Sequence, residues 1–183
     1  MRDYWRKNTV CLCIFLVCLL VSCTSTRIER TCDLETILLV QHDFPTGTVV
    51  NQISSPIADM PTESAGLSAS YVDSSMYHEV ARYYSSVNAE NKFQEMRDVL
   101  YRQTEYRGPW KTPKELSYVN LNAQQYYVAC GEVGDNYQCR MIGQYGEYYI
   151  FFSAYISNKG VTLDVLSGLL QSLDNHMAQC LQK

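Results

Sequence analysis

Cysteine is the residue type in this chain with the most chemistry to offer, and eight are present. Cys11, Cys13 and Cys18 lie inside an apolar stretch, residues 10–21, where a thiol behaves as a small hydrophobe. Cys23 stands two residues beyond that stretch, and Cys32, Cys130, Cys139 and Cys180 are spread over the rest. Those last four are an even number, which in an oxidising compartment points to two disulfides. Residues 131–138 (GEVGDNYQ) carry Gly134-Asp135 at their midpoint, a pair suited to a two-residue type II′ hairpin turn. With that turn Val133 faces Asn136, and counting outwards brings Cys130 opposite Cys139. The pair falls on a non-hydrogen-bonded site, where Cα atoms lie about 4.5 Å apart and a disulfide fits. Cys32 and Cys180 then pair by elimination. The competing reading is four free thiols or a zinc site, but no CxxC spacing supports a metal. Neither a metal nor a cofactor is expected.

Signatures of nucleophilic, metal-dependent or nucleotide chemistry are missing: there is no GxSxG, HExxH, P-loop or GxGxxG. His42, His78 and His176 fall in three separate elements without ligand spacing. Asp43 beside His42 could form a dyad, yet so close to Pro45 a turn-stabilising side-chain contact is the more ordinary role. Glu132 and Asp135 belong to one hairpin turn and Glu147 to the next, at the opposite end of the strands. These carboxylates therefore do not converge. No catalytic residue is assigned, and the chain is read as a non-enzyme.

Tyrosine is the other suggestive residue type, with 15 in the chain and only Tyr4 ahead of residue 22. The hairpin register above, extended through a second two-residue turn at Tyr145-Gly146, sorts the C-terminal strands into two faces. One face collects Tyr126, Val128, Cys130, Cys139, Met141, Tyr148, Ile150, Phe152, Ala154 and Ile156. The other collects Tyr127, Arg140, Ile142, Tyr149, Phe151 and Tyr155. A sheet with one wet side alternates apolar with polar residues, whereas here the second face is aromatic as well. Two explanations compete. Helices cover part of both faces, or Tyr127, Arg140, Tyr149, Phe151 and Tyr155 form an open aromatic platform for a protein or small-molecule ligand. Tyr with an occasional Arg is interface chemistry, but Tyr is also an ordinary strand former.

The elements that must position these residues follow from local pattern. Residues 32–41 carry Leu34, Ile37 and Leu38 with Asp33 and Glu35 early, the pattern of a short amphipathic helix ended before Pro45. Residues 48–53 read as a strand and 54–66, with Pro56 and Pro61, as a loop. Strands over 67–72 and 76–86 flank a turn at Asp73-Ser74-Ser75. Asn88 caps a helix from 89 to about 102, whose Ala89, Phe93, Met96, Val99 and Leu100 follow helical spacing. A three-strand meander covers about 124–132, 137–143 and 147–156. Thr162 caps a final helix with Leu163, Leu166, Leu169, Leu170, Leu173, Met177 and Leu181 on one stripe. The fold class is α+β: an antiparallel sheet of two strand groups packed with about three helices and held by two disulfides.

The N-terminus adds a location. Arg2, Arg6 and Lys7 precede the apolar stretch, which is too short for the roughly 20 residues of a membrane-spanning helix and has the build of a secretory signal. Its last residues, Leu20-Val21-Ser22-Cys23, resemble the lipobox of bacterial lipoproteins. The resemblance implies that residues 1–22 are a signal peptide and that Cys23 is lipidated and opens the mature chain. Residues 23–31 are then the lipidated Cys and a short tether, spanning at most about 28 Å over eight residues, and 32–183 a single α+β domain. Thr24, rather than Asp, follows Cys23, which by the same resemblance implies the outer membrane in a Gram-negative host. Loss of residues 1–22 shifts the net charge from −4 to −6, since they hold three basic residues and one acidic. An acidic surface excludes nucleic acid as a partner and leaves acyl chains, not anionic lipid, to hold the membrane.

By pattern, the meander with paired cysteines and a closing helix ending in Cys180 is similar to the extracellular sensor domains of actinobacterial receptor kinases. The strand pair followed by the helix start at Asn88-Ala89 and the later meander also resembles PsbP-like secreted proteins. Both resemblances imply binding or assembly modules rather than enzymes, and neither supplies a site residue. The expected function is a membrane-anchored binding or accessory module of the cell envelope. The alternatives are a small envelope-polymer hydrolase, which would need His42, Asp43 or His78 to converge with carboxylates, and a purely structural component.

Overall fold

Two runs of three strands each fold back on themselves through short turns, and the two meanders meet edge to edge. In the computed structural model, which describes residues 32–53 and 61–182, the first meander is β1 (Val49–Ile53), β2 (Glu63–Tyr71) and β3 (Ser74–Arg82). The second is β4 (Gln125–Val133), β5 (Asn136–Tyr145) and β6 (Tyr148–Tyr155). Pairing of β3 with β6 joins them into one antiparallel sheet of six strands in the order β1-β2-β3-β6-β5-β4. The residues read above as a signal peptide, Cys23 and a tether, and residues 54–60 of the expected loop, lie outside the described residues.

The sheet is covered on both sides. Helix α2 (Leu163–Leu181) starts where Thr162 Oγ1 accepts a hydrogen bond from Val165 N at 3.3 Å. Its stripe of Leu166, Leu169, Leu170, Leu173 and Met177 packs with Val128, Met141, Tyr148, Ile150 and Phe152 to form the larger core. Helix α1 (Ser86–Leu100) lies on the opposite face, where Ala89 and Phe93 meet Ala81, Tyr83, Ile142 and Tyr149. Its N-cap is Ser85, whose Oγ accepts from Asn88 N at 3.2 Å. Asn88 thus sits one turn inside the helix rather than at its start, because the earlier hydroxyl reaches the free N–H first.

Three further boundaries differ from the sequence pattern for identifiable reasons. Residues 32–41 do not form an α-helix but two 3-10 turns, Leu34–Thr36 and Gln41–Asp43. Ile37, Leu38 and Leu39 are all buried in a row, which a helix with one wet side cannot achieve, and Leu39 N donates to His78 Nδ1 at 3.3 Å. Strand β2 begins at Glu63, not Leu67, since Arg82 pairs Glu63 and holds it with a 3.0 Å ion pair. The turn between β2 and β3 is Val72-Asp73, because Ser74 already pairs with Tyr71. Val72 there takes a φ of 55°, a strained choice for a β-branched residue, while Ser157 Oγ donates to Asp73 and Val161 N donates to Ser74 Oγ.

The second meander turns at Gly134-Asp135 as expected, with Gly134 at φ 58° and Val133 opposite Asn136. Cys130 and Cys139 are paired there with Cα atoms 3.9 Å apart, and Cys32 and Cys180 are joined at 5.6 Å. The next turn is displaced by one residue: Tyr145 stays in the sheet opposite Tyr148, and Gly146-Glu147 make the turn with Gly146 at φ 62°. Tyr145 is retained because its ring is fully buried and its hydroxyl donates to Asp174 Oδ1 at 3.0 Å. The displacement changes each cross-strand partner by two residues. Side-chain direction repeats every two residues, so every residue keeps its expected face.

Candidate functional site

The aromatic face is the place to begin, and α1 lies across it. Tyr149 is fully buried beneath the helix, and burial pushes its phenol pKa well above the usual value. Phe151 and Tyr127 are half-buried against the same helix. Tyr155 is half-buried and Arg140 is buried. The open platform expected as one alternative is therefore replaced by a covered face. The reason lies in α1 itself, whose Ala89, Phe93, Met96 and Leu100 need an apolar surface to bury.

What α1 leaves uncovered lies at its C-terminal end, and the residues there are tied together closely. Arg140 Nη1 donates to Leu100 O at 2.7 Å, and Arg140 Nε donates to Gln138 Oε1 at 2.8 Å. The guanidinium thus supplies the cation that the partial negative charge of a helix C-terminus favours. Its carbon centre lies 4.5 Å from the centroid of the Trp110 ring, a cation–π distance. Trp110 can approach because residue 131 is glycine: a Cβ there would meet Pro109 O at 3.0 Å and the indole at 3.1 Å. Tyr101 stands edge-on to both Trp110, at 5.6 Å, and Tyr127, at 4.6 Å. Its hydroxyl donates to Arg140 O and Tyr127 O.

The segment carrying Trp110 is fixed by backbone pairing along the outer edge of β4. Lys111 and Cys130 exchange two hydrogen bonds of 2.9 Å, Gly108 N donates to Glu132 O at 2.8 Å, and Gly134 N donates to Tyr106 O at 3.0 Å. This closes an edge that would otherwise present free backbone groups. At the last turn of α1 opens a cleft of about 610 Å³ lined by Arg97, Asp98, Tyr101, Arg102 and, from β4, Tyr127. Among the residues proposed for a binding face, Tyr127 alone lines it. Arg97, Tyr101 and Arg102 were missed by the sequence pattern, although residues 97–111 hold four basic side chains against two acidic in an acidic chain.

The histidines and acids are partly brought together elsewhere. His42 is exposed. Asp43 accepts from Val40 N at 2.8 Å, the turn-stabilising contact expected of it, and also lies 3.6 Å from His176 Nε2. The other ring nitrogen of His176 faces Ile37 O and Leu38 O at 3.4 and 3.2 Å. Both nitrogens of this imidazole thus face acceptor groups of the chain itself, two carbonyls on one side and the Asp43 carboxylate on the other. His78 is fully buried, and desolvation, followed by the nearby His176, lowers its pKa to about 3. Asp174, also fully buried, accepts from Leu121 N, Asn122 Nδ2 and Tyr145 OH. It pins the loop before β4 to α2. Among the described residues, no three metal-ligating side chains are grouped, and the four cysteines are consumed by disulfides.

No protein-family model matches the chain, and comparison with curated protein sequences finds no match. Solved structures similar in fold include the extracellular domain of PknH from Mycobacterium tuberculosis, with a TM-score of 0.46 and 11% identity over 78% of this chain and 95% of that one. Another is a putative uncharacterized protein, the Rv0999 ortholog, from Mycobacterium smegmatis. Its TM-score is 0.41 at 7% identity, over 78% of this chain and 97% of that one. No helix among the described residues is long and apolar enough to cross a membrane.

Proposed function

We propose that the chain is an exported lipoprotein, anchored to a membrane through Cys23, whose domain binds a ligand in the cleft beside the end of α1 and performs no covalent chemistry. The observation that carries the binding reading is the lining of that cleft, two arginines and two tyrosines, the residue types most often responsible for binding energy. Two disulfides support an oxidising compartment. The hydrolase alternative would rest on Asp43 and His176, whose imidazole is lined by Ile37 O, Leu38 O and the Asp43 carboxylate, and neither residue lines the cleft. A second test of location is direct. Cys23→Ser should lose acyl labelling and leave the membrane fraction, because only the thiol is acylated. Full retention on membranes after a high-salt wash would overturn the anchor. For the cleft, a panel of soluble envelope saccharides should include members that raise the melting temperature of the wild type and not of Tyr127→Ala. If none does, or if Tyr127→Ala responds equally, the cleft is not the binding site.

A further inference from the structure

The end of α1 carries more positive charge than its fold needs. The helix terminus is already served by Arg140 on Leu100 O and by the N–H of Tyr101 on Arg97 O. Among the described residues, Arg97 has as ionic partner only its exposed sequence neighbour Asp98, 3.7 Å away, a kind of pair that contributes little. Among the described residues, the guanidinium groups of Arg102 and Arg107 meet neither a carboxylate nor a hydrogen-bond acceptor. Arg107 also lies close enough to Arg140 to hold down its pKa, after desolvation, the larger cause. Arg97 and Arg102 thus line the cleft while Arg107 acts on Arg140 behind the end of the same helix, a local excess of positive charge in an acidic chain.

Resting on the binding reading above, we propose that the cleft takes an anionic saccharide, its charged group on Arg97 and Arg102 and its ring against Tyr101 and Tyr127. Guanidinium forks match carboxylate and phosphate oxygens two at a time. Tyr101 and Tyr127 meet edge to face at 89°, so they offer no parallel slot for a flat base and suit a puckered ring. Asp98, on the cleft wall, repels a bare anion but accepts hydrogen bonds from ring hydroxyls. The carboxylate and the two guanidinium groups together are selective for a ligand that bears both hydroxyls and charge.

The test uses the full-length protein in detergent, with glucuronate, glucose 6-phosphate, glucose and inorganic phosphate titrated by ligand-observed magnetic resonance. Glucuronate and glucose 6-phosphate should bind, with glucose and inorganic phosphate at least about tenfold weaker. Arg102→Gln and Arg97→Gln should each weaken the charged ligands by about tenfold or more and flatten their salt dependence. Both arginines are exposed, so melting temperature should not move. Equal binding of glucose, unaffected by the arginine variants but lost in Tyr127→Ala, would overturn the anion assignment and leave the cleft reading standing. Equal binding of inorganic phosphate, unaffected by Tyr127→Ala, would overturn the saccharide. Absence of binding by all four would overturn both.

Discussion

His78 buries an imidazole completely between the 3-10 segment and the strands, with Nδ1 occupied by the Leu39 N–H. Since Nδ1 accepts, the proton of the neutral ring is on Nε2, which has no partner among the described residues. Protonation would place a charge in a site that offers it nothing, which is why desolvation lowers the pKa from 6.5 to about 3. Between those two values the unfolded chain binds more protons than the folded one. Stability is therefore complete above about pH 6.5 and is lost as pH falls, at up to about 1.4 kcal/mol per pH unit. His78→Asn keeps an acceptor for Leu39 N without titrating. Urea midpoints should fall in the wild type from about pH 6.5 to 5, before most carboxylates titrate, and stay level in the variant. A level wild type over that range would contradict the burial. None of this was legible from the sequence, where His78 is one of three isolated histidines. Its environment is made by residues about forty and a hundred positions away.

At the scale of elements, the sheet was readable and the face of it that α1 covers was not. Gly134-Asp135 and the spacing of Cys130 and Cys139 determine the register of β4 with β5, and even the misplaced second turn preserved the faces because its error was even. The α1 pattern was also visible in Ala89, Phe93, Met96 and Leu100. What no local pattern reveals is which face α1 lands on, and that decides whether Tyr149 is platform or core. It is core. Tyr149→Ala should cost roughly 3–5 kcal/mol, as for other buried aromatics, measured by urea denaturation. Tyr149→Phe should cost far less, since the buried hydroxyl finds no hydrogen-bond partner and its removal loses no bond. A small effect of the alanine variant would mean that α1 does not hold this face in solution. The cleft was hidden for the same reason: it exists only where the end of α1 comes to lie beside Tyr127 of β4.

For the whole molecule, the two disulfides act on very different lengths of chain. Cys130–Cys139 closes a hairpin with a sequence separation of 9, whereas Cys32–Cys180 spans 148 and ties the first described residues to the end of α2. Both half-cystines of the long bridge are buried in the larger core, next to the 3-10 segment that replaced the expected helix. That segment has few hydrogen bonds of its own, so the bridge and the burial of Ile37, Leu38 and Leu39 hold it in place. In the chain-entropy account, closing the short loop is worth about 3 kcal/mol and the long one about 5. Replacing Cys32 and Cys180 together by Ala should therefore cost more than replacing Cys130 and Cys139, by about 2 kcal/mol. Urea denaturation of the two double variants beside the oxidised wild type gives the comparison. Complete reduction of the wild type should cost more than either pair alone, because it releases both constraints. If the hairpin pair proves the costlier, the native packing around Cys130 rather than chain entropy governs stability, and the N-terminal segment is held by its apolar contacts alone.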